Sequence, residues 1–345
     1  ARSDFRVNDT ECTPRWGDFR NRHFRNPSSG AICVFQVLTV SKASHYLKVY
    51  VGTMLMTGII LVVFVYVADP YSLFGSRLAS SISSKKFLVS SFERLSKPVI
   101  VCRVRPDAVI LGTSRAAVGL RPNTLTKYVG SSYNFGLNGA YLLEIDAALR
   151  IAVKCGARFV LYGLDFFTFT EHTEKKARQV RVMGSGYTLN KVEILLKNVI
   201  SISALKDSFR TIWGNLRNDA PSHDESGMLV KYNPDNVPFQ APDAEQRLIF
   251  ADAYKTFEAM LLFAEEAGVD MKIFISPTYQ SHLRTDPVYL DWLNRVTKIA
   301  GNHGVTIHNL AGHSEYSGSR STFHDVSHFK PALGDRIIET LYEAN

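Results

Sequence analysis

A serine stands directly after a short apolar run in Ile110-Leu-Gly-Thr-Ser-Arg115, and an acid and a base stand three residues apart in Phe323-His-Asp-Val-Ser-His-Phe329. A serine hydroxyl is a weak nucleophile until a base takes its proton, and an imidazole does so near neutral pH. The spacing of Asp325 and His328 lets one turn of backbone bring the carboxylate to the ring. There it would hold the tautomer and stabilise the imidazolium formed as the base is protonated. Gly112 permits a sharp turn just before Ser114. Each block also has a plainer reading: Ser114 as a helix cap, and the second block as a polar loop leading into the last helix. His324 competes with His328 as base but lacks an acid at matching spacing. His282, in Ser276-Pro-Thr-Tyr-Gln-Ser-His282, is a candidate for the same cleft or for an ordinary surface loop. His172, His308 and His313 have no metal-ligand spacing, and the chain has no zinc motif, P-loop or GxGxxG. No metal or cofactor is expected.

These residues need elements that deliver them to one place. Short apolar runs at 107–113, 132–135, 158–163, 271–276 and 305–309 predict buried strands. Helical patterns cover 141–155, 243–267, 287–301 and 331–342, the last with Pro331 in its first turn, where the missing N–H costs nothing. The alternation predicts an α/β fold, a mostly parallel sheet flanked by helices on both faces. Residues 166–242 interrupt it with a helix expected over 191–216 and a polar loop over 218–242. Such an insertion is expected over the strand ends, as a lid or a substrate platform. Its Lys175, Lys176, Arg178 and Arg181 form either a solvated basic face or an attraction for anionic glycans.

Taken in order, the strand ending Gly-Thr-Ser-Arg115, the segment Asn134-Phe-Gly-Leu-Asn-Gly139, the strand ending Gly163-Leu-Asp165 and Asp325-x-x-His328 resemble the blocks of the SGNH (GDSL-like) hydrolases. The match is closest to their membrane-linked branch, which includes proteins that acetylate exported polysaccharides. The resemblance covers about residues 105–335 with a gap at the insertion. It implies an SGNH/flavodoxin-like fold with Ser114 as nucleophile, His328 as general base and Asp325 as its orienting acid. Gly139 would give a backbone N–H to the oxyanion hole. One departure stands out: the family's third block carries Gly-x-Asn-Asp, and here Asp165 occupies the position of the Asn whose amide donates to the oxyanion. An ionised Asp165 would repel that charge, and loss of one such donor costs about 100- to 1000-fold in rate. Asn138 and Arg115 are the candidate replacements.

Residues 49–68 are apolar and uncharged for twenty positions, enough at about 1.5 Å per residue to cross the hydrocarbon core of a bilayer. Tyr50 and Tyr66 fall near the two ends, where amphipathic rings prefer to sit. Of 40 basic and 32 acidic residues in the chain, those in 1–48 include Lys42 and Lys48 beside the span, which predicts a cytoplasmic N-terminus and a periplasmic or extracellular domain; Arg77, Lys85 and Lys86 act against that bias. The expected organisation is a basic, poorly ordered arm over 1–48, a transmembrane helix over 49–68, a connector over 69–104 and the α/β domain over 105–345. The first residue is Ala, which is expected of a fragment or of a chain with an upstream extension. Cys102 and Cys155 are either a disulfide or two buried thiols. The sequence therefore predicts a membrane-anchored serine esterase or O-acyltransferase, whose partners would be the bilayer, a cell-surface or exported carbohydrate and an acyl donor. The alternative is a non-catalytic carbohydrate-binding or scaffold component with envelope protein partners. Nucleic-acid binding rests on total charge alone and is not expected of an outward-facing domain.

Overall fold

The computed structural model describes residues 28–75, 84–85, 87–170, 201–232, 249–250, 252–280, 285–312 and 314–343, with side chains described apart from those of 28–42 and 90. Two compact units meet at Gly58 and Ile59, inside the first helix. That helix, α1 (Ser28–Ala68), contains one stretch, Ala43–Ala68, long and apolar enough to cross a membrane. Its side chains are mostly exposed, unlike those of a core helix. Residues 28–48, read above as part of a poorly ordered arm, continue the helix. No proline interrupts them, and apolar residues continue to recur through Tyr46 and Leu47. At the far end Asp69, at φ 43°, and Pro70 stop the helix. The Asp69 carboxylate then accepts from the N–H groups of Leu73 (2.7 Å), Phe74 (3.2 Å) and Gly75 (2.9 Å), which shapes the exit turn.

In the second unit, α2 (Glu93–Val104) leads into β1 (Ala108–Leu111), α3 (Ser114–Gly119), α4 (Pro122–Val129), β2 (Ser132–Asn134), α5 (Leu142–Lys154) and β3 (Phe159–Leu164). The insertion contributes α6 (Ile202–Leu216). The alternation resumes with α7 (Ala253–Glu266), β4 (Asp270–Ile275), α8 (Pro287–Asn302), β5 (Ile307–Asn309), the short α9 (Ser314–Ser317) and α10 (Pro331–Glu343). All five strands pair in parallel, in the order β2-β1-β3-β4-β5. That is one of the two common doubly wound orders.

Side chains alternate across a strand, so each strand feeds two cores. Val109 and Leu111 enter one cluster with Tyr162, Ile273, Phe257 and Trp292; Ala108 and Ile110 enter the other with Leu161, Phe274, Phe329 and Ile337. Both faces are covered, which is why the strands read as continuous apolar runs.

One boundary differs from the sequence expectation. Helix α2 lies in the segment taken for a connector, yet Val101 sits in the first core and Cys102 is disulfide-bonded to Cys155 at the end of α5. Glu93, Ser96 and Lys97 gave the segment a solvated look, but all three are buried. The α/β domain therefore includes residue 93 rather than starting at 105.

Candidate active site

In this strand order the chain leaves β1 toward one neighbour and β3 toward the other. The crevice above their carboxyl ends is where such sheets place functional groups. Ser114 follows β1 and Asp165 follows β3, and the Thr113 hydroxyl donates to Asp165 across that crevice at 2.5 Å. Gly112 makes the turn possible. Its φ is +145°, and a Cβ there would lie 2.7 Å from the Ala116 side chain. Thr113, not Ser114, caps α3: its side chain accepts from the Arg115 N–H. Ser114 is thus the first helical residue, and its hydroxyl is left for other work.

The second block is a short closed loop. Phe323 and Phe329 bridge one another in antiparallel fashion and are both buried, and the His324 N–H donates to the His328 carbonyl at 2.8 Å. Between these anchors, Asp325 Oδ1 accepts the N–H groups of Ser327 and His328, each at 2.8 Å. This turn sets the carboxylate against its own ring: His328 Nδ1 lies 2.8 Å from Asp325 Oδ2. The other ring nitrogen, Nε2, lies 2.8 Å from the Ser114 Oγ. With Nδ1–H donating to the carboxylate, Nε2 is the acceptor for the serine proton. His324 does not occupy that place; its ring lies 5.4 Å from that of Tyr232.

Tyr232 was not singled out in the sequence. Its hydroxyl donates to Asp325 Oδ2, and its oxygen lies 2.9 Å from His328 Nδ1. Burial works to raise the Asp325 carboxyl, but hydrogen bonds from His328 and Tyr232 outweigh it and hold the group well below the usual carboxylate range. The reciprocal effect on Tyr232 is upward, from burial first and then from the Asp325 hydrogen bond and charge. Tyr232 comes from the polar loop of the insertion, whose Leu229 N–H donates to the Ala117 carbonyl of α3 at 2.9 Å. Beside it opens a cleft of about 340 Å³, lined by Arg121, Asp224, Ser226, Tyr232 and His324 among others. A tyrosine in a loop of Asn, Asp and Pro carries no periodic signal that could have marked it.

The Asp165 side of the crevice is assembled from more distant parts. Asp165 is buried and ion-paired to Arg115, with Nη1 to Oδ1 at 2.9 Å. The Arg115 Nε–H is also buried and has no partner among the described residues, and the guanidinium sits 5.4 Å from the Phe167 ring centroid. The Asp165 charge is therefore opposed by a cation that has a donor to spare, one residue after Ser114. The Ser114 N–H is a first-turn group with no intrahelical acceptor. Gly139, at φ +57°, is exposed and follows Asn138. Asn138 is committed elsewhere: its N–H donates to Glu93 Oε2 at 3.2 Å, and its side chain bonds the same carboxylate.

That commitment belongs to a clamp that α2 places on the second block. Arg94 donates to the Asn138 carbonyl at 3.1 Å while also pairing with Glu144. Lys97, wholly buried, donates to the carbonyls of Asn134 (3.2 Å), Gly136 (2.6 Å) and Gly227 (2.9 Å). Burial lowers the Lys97 ammonium to about 8, with Glu93 and Asp224 acting against the fall. Gly136 is needed for close approach, since a Cβ would lie 2.7 Å from the Ala117 N. The Asn134 amide completes the junction, donating to the carbonyls of Ala116 and Leu120 at 2.9 Å each. The clamp holds both the block-two loop and the insertion loop that delivers Tyr232. A helical Glu-Arg-x-x-Lys is common on solvated faces, so no sequence signal set this one apart.

Ser114, His328, Asp325, Arg115 and Asp165 are thus brought to one crevice, and Asn138 is turned to Glu93. His282, His172, His313 and the basic residues at 175–181 lie outside the described residues. Among the described residues no group of three His, Cys, Asp or Glu side chains could hold a metal ion.

No family model matches the chain, and no curated protein does. A solved structure of ZgEngAGH5_4 wild type shares 10% identity over 70% of this chain and 87% of its own, with a TM-score of 0.16, a likeness too slight to bear on fold or function.

Proposed function

We propose that the chain is a membrane-anchored, SGNH-like serine esterase or O-acyltransferase acting on a cell-surface or exported carbohydrate. The observation that carries this reading is the continuous relay from Ser114 Oγ to His328 Nε2 (2.8 Å) and from His328 Nδ1 to Asp325 Oδ2 (2.8 Å). A binding or scaffold component has no need of a base aligned on a serine hydroxyl.

In this reading His328 takes the Ser114 proton as Oγ attacks an ester carbonyl, and the imidazolium formed is stabilised by Asp325 and steadied by Tyr232. The developing oxyanion is met by the Ser114 and Gly139 N–H groups and by the Arg115 cation. The imidazolium then protonates the leaving alcohol, leaving an acyl-Ser114 ester. Water or a sugar hydroxyl, deprotonated by His328, releases the acyl group; the acceptor decides between hydrolysis and transfer. A carbohydrate substrate is supported by the cleft beside Tyr232, where a cation, an anion, a hydroxyl and aromatic rings converge. A compartment outside the cytoplasm is supported by Lys42 and Lys48 ahead of the uncharged run 49–68 and by the Cys102–Cys155 disulfide, since such bonds persist in oxidising surroundings.

The test is covalent labelling of the folded chain with a serine-reactive fluorophosphonate. One adduct, on Ser114 and absent from Ser114→Ala, is expected. A folded sample that takes no label at Ser114 would rule out an activated nucleophile.

A further inference from the structure

Helix α6 carries an apolar stripe on its outside. Ile202, Phe209, Trp213 and Leu216 recur at helical spacing with exposures of 76%, 60%, 63% and 63%, while Ala204, Ser208, Thr211 and Gly214 form the face packed on the protein. This is the reverse of a surface helix in water, which turns its large apolar groups inward. Lys206, Arg210 and Arg217 are exposed along the stripe's edge.

The position of the stripe says what covers it. Phe209 meets Phe64, near the end of the apolar span, with ring centroids 4.8 Å apart. Ala204 packs with Val65 and Tyr71, and the Tyr71 hydroxyl donates to Asp207 at 2.6 Å. Helix α6 is therefore fastened to the last turns of α1, where Ile60, Val63 and Tyr66 are also exposed. We propose that α6 is an interfacial helix whose Ile202, Phe209, Trp213 and Leu216 lie in the lipid boundary of the bilayer that α1 spans. The chemistry fits. Tryptophan favours the headgroup level, and the flanking cations reach lipid phosphates while their stems lie along apolar surface. The domain would then be held to the membrane at two places instead of swinging from one. This inference rests on the reading that Ala43–Ala68 crosses a membrane.

The test uses the full chain carrying Trp16→Phe, reconstituted in phosphatidylcholine vesicles with brominated acyl chains. The remaining emitters are Trp213 and Trp292, and Trp292 is wholly buried in the protein core. The bromolipid-quenched part of the emission is expected to fall at least about threefold on Trp213→Phe. A Met54→Trp substitution, added to Trp213→Phe, reports the span independently. Quenching restored by Met54→Trp, but unchanged by Trp213→Phe alone, would overturn the interfacial helix and leave the span standing. Emission from Trp213 that is blue-shifted yet insensitive to bromolipid would also overturn it, assigning the stripe to a protein partner or a second copy. Quenching at neither position would remove the span and the proposal together.

Discussion

On the His328 side of Ser114, polarity comes almost entirely from one loop closed by Phe323 and Phe329, with Tyr232 as the single distant addition among the described residues. On the Asp165 side it comes from the turns after β1, β2 and β3 and from α2, which precedes the whole sheet. The first arrangement is fixed by local backbone: Asp325 accepts two N–H groups of its own turn, so its geometry survives many changes elsewhere. The second depends on a buried lysine, an ion pair and a carboxylate that hold separate segments together. Each of these costs desolvation unless its partner stays in place. The relay should therefore behave as a rigid unit, and the Asp165 side as the place where distant changes are felt.

The largest test removes the relay itself. Ser114→Ala or His328→Ala should lower turnover of an activated acetyl ester by about 10⁴-fold or more, with the unfolding midpoint nearly unchanged in Ser114→Ala. Next in size is the charge on the opposite side. Arg115→Met should lower kcat by about 100- to 1000-fold with a smaller change in KM, because the proposed mechanism sets this cation against the developing oxyanion. A loss below about fivefold would show that the Asp165–Arg115 pair serves the fold only. The clamp is probed by Lys97→Met, which leaves three buried carbonyls short of a donor and should cost about 3 kcal/mol of stability in denaturant unfolding. If the clamp also sets the block-two loop for catalysis, kcat should fall further than that of a comparably destabilised core variant such as Ile337→Ala.

Smaller still is Tyr232→Phe. It deletes one hydrogen bond to a carboxylate and should lower kcat by about tenfold, with the fluorophosphonate adduct on Ser114 formed more slowly but still formed. The mildest effect is on acid stability. The Asp325 carboxyl is held below its unfolded value, so its contribution to stability is full above about pH 4 and is lost as pH falls through the lower folded value. Parent and Asp325→Asn should thus differ in unfolding midpoint at neutral pH and converge in acid.

Much of the relay was legible because its parts are close in sequence or follow a strand. An acid and a base three residues apart can meet through one turn, and a residue after a buried strand must emerge at the sheet's carboxyl edge. The strand boundaries of β1, β3 and β4 fell within a few residues of the apolar runs, since strands covered on both faces leave an unbroken signal. The Asp165 side was read less well. Asp165 looked like a repulsive anion until the fold brought Arg115 and Thr113 to it. Asn138 looked free until Glu93 took it. Lys97 and Glu93 fell in the segment taken for a connector, because nothing local shows that a helix will be buried.

By itself, the sequence determined the apolar span, the α/β alternation and the Asp325–His328 pair. Each rests on periodicity or spacing over a few residues, and local sterics and burial act at that range. Only the tertiary structure decided that Ser114 meets His328, that Cys102 pairs with Cys155, that Tyr232 joins the relay and that Lys97 clamps the second block. Those contacts join residues separated by tens to hundreds of positions. Their partners are set by how the sheet is ordered and covered, which no short stretch of chain encodes.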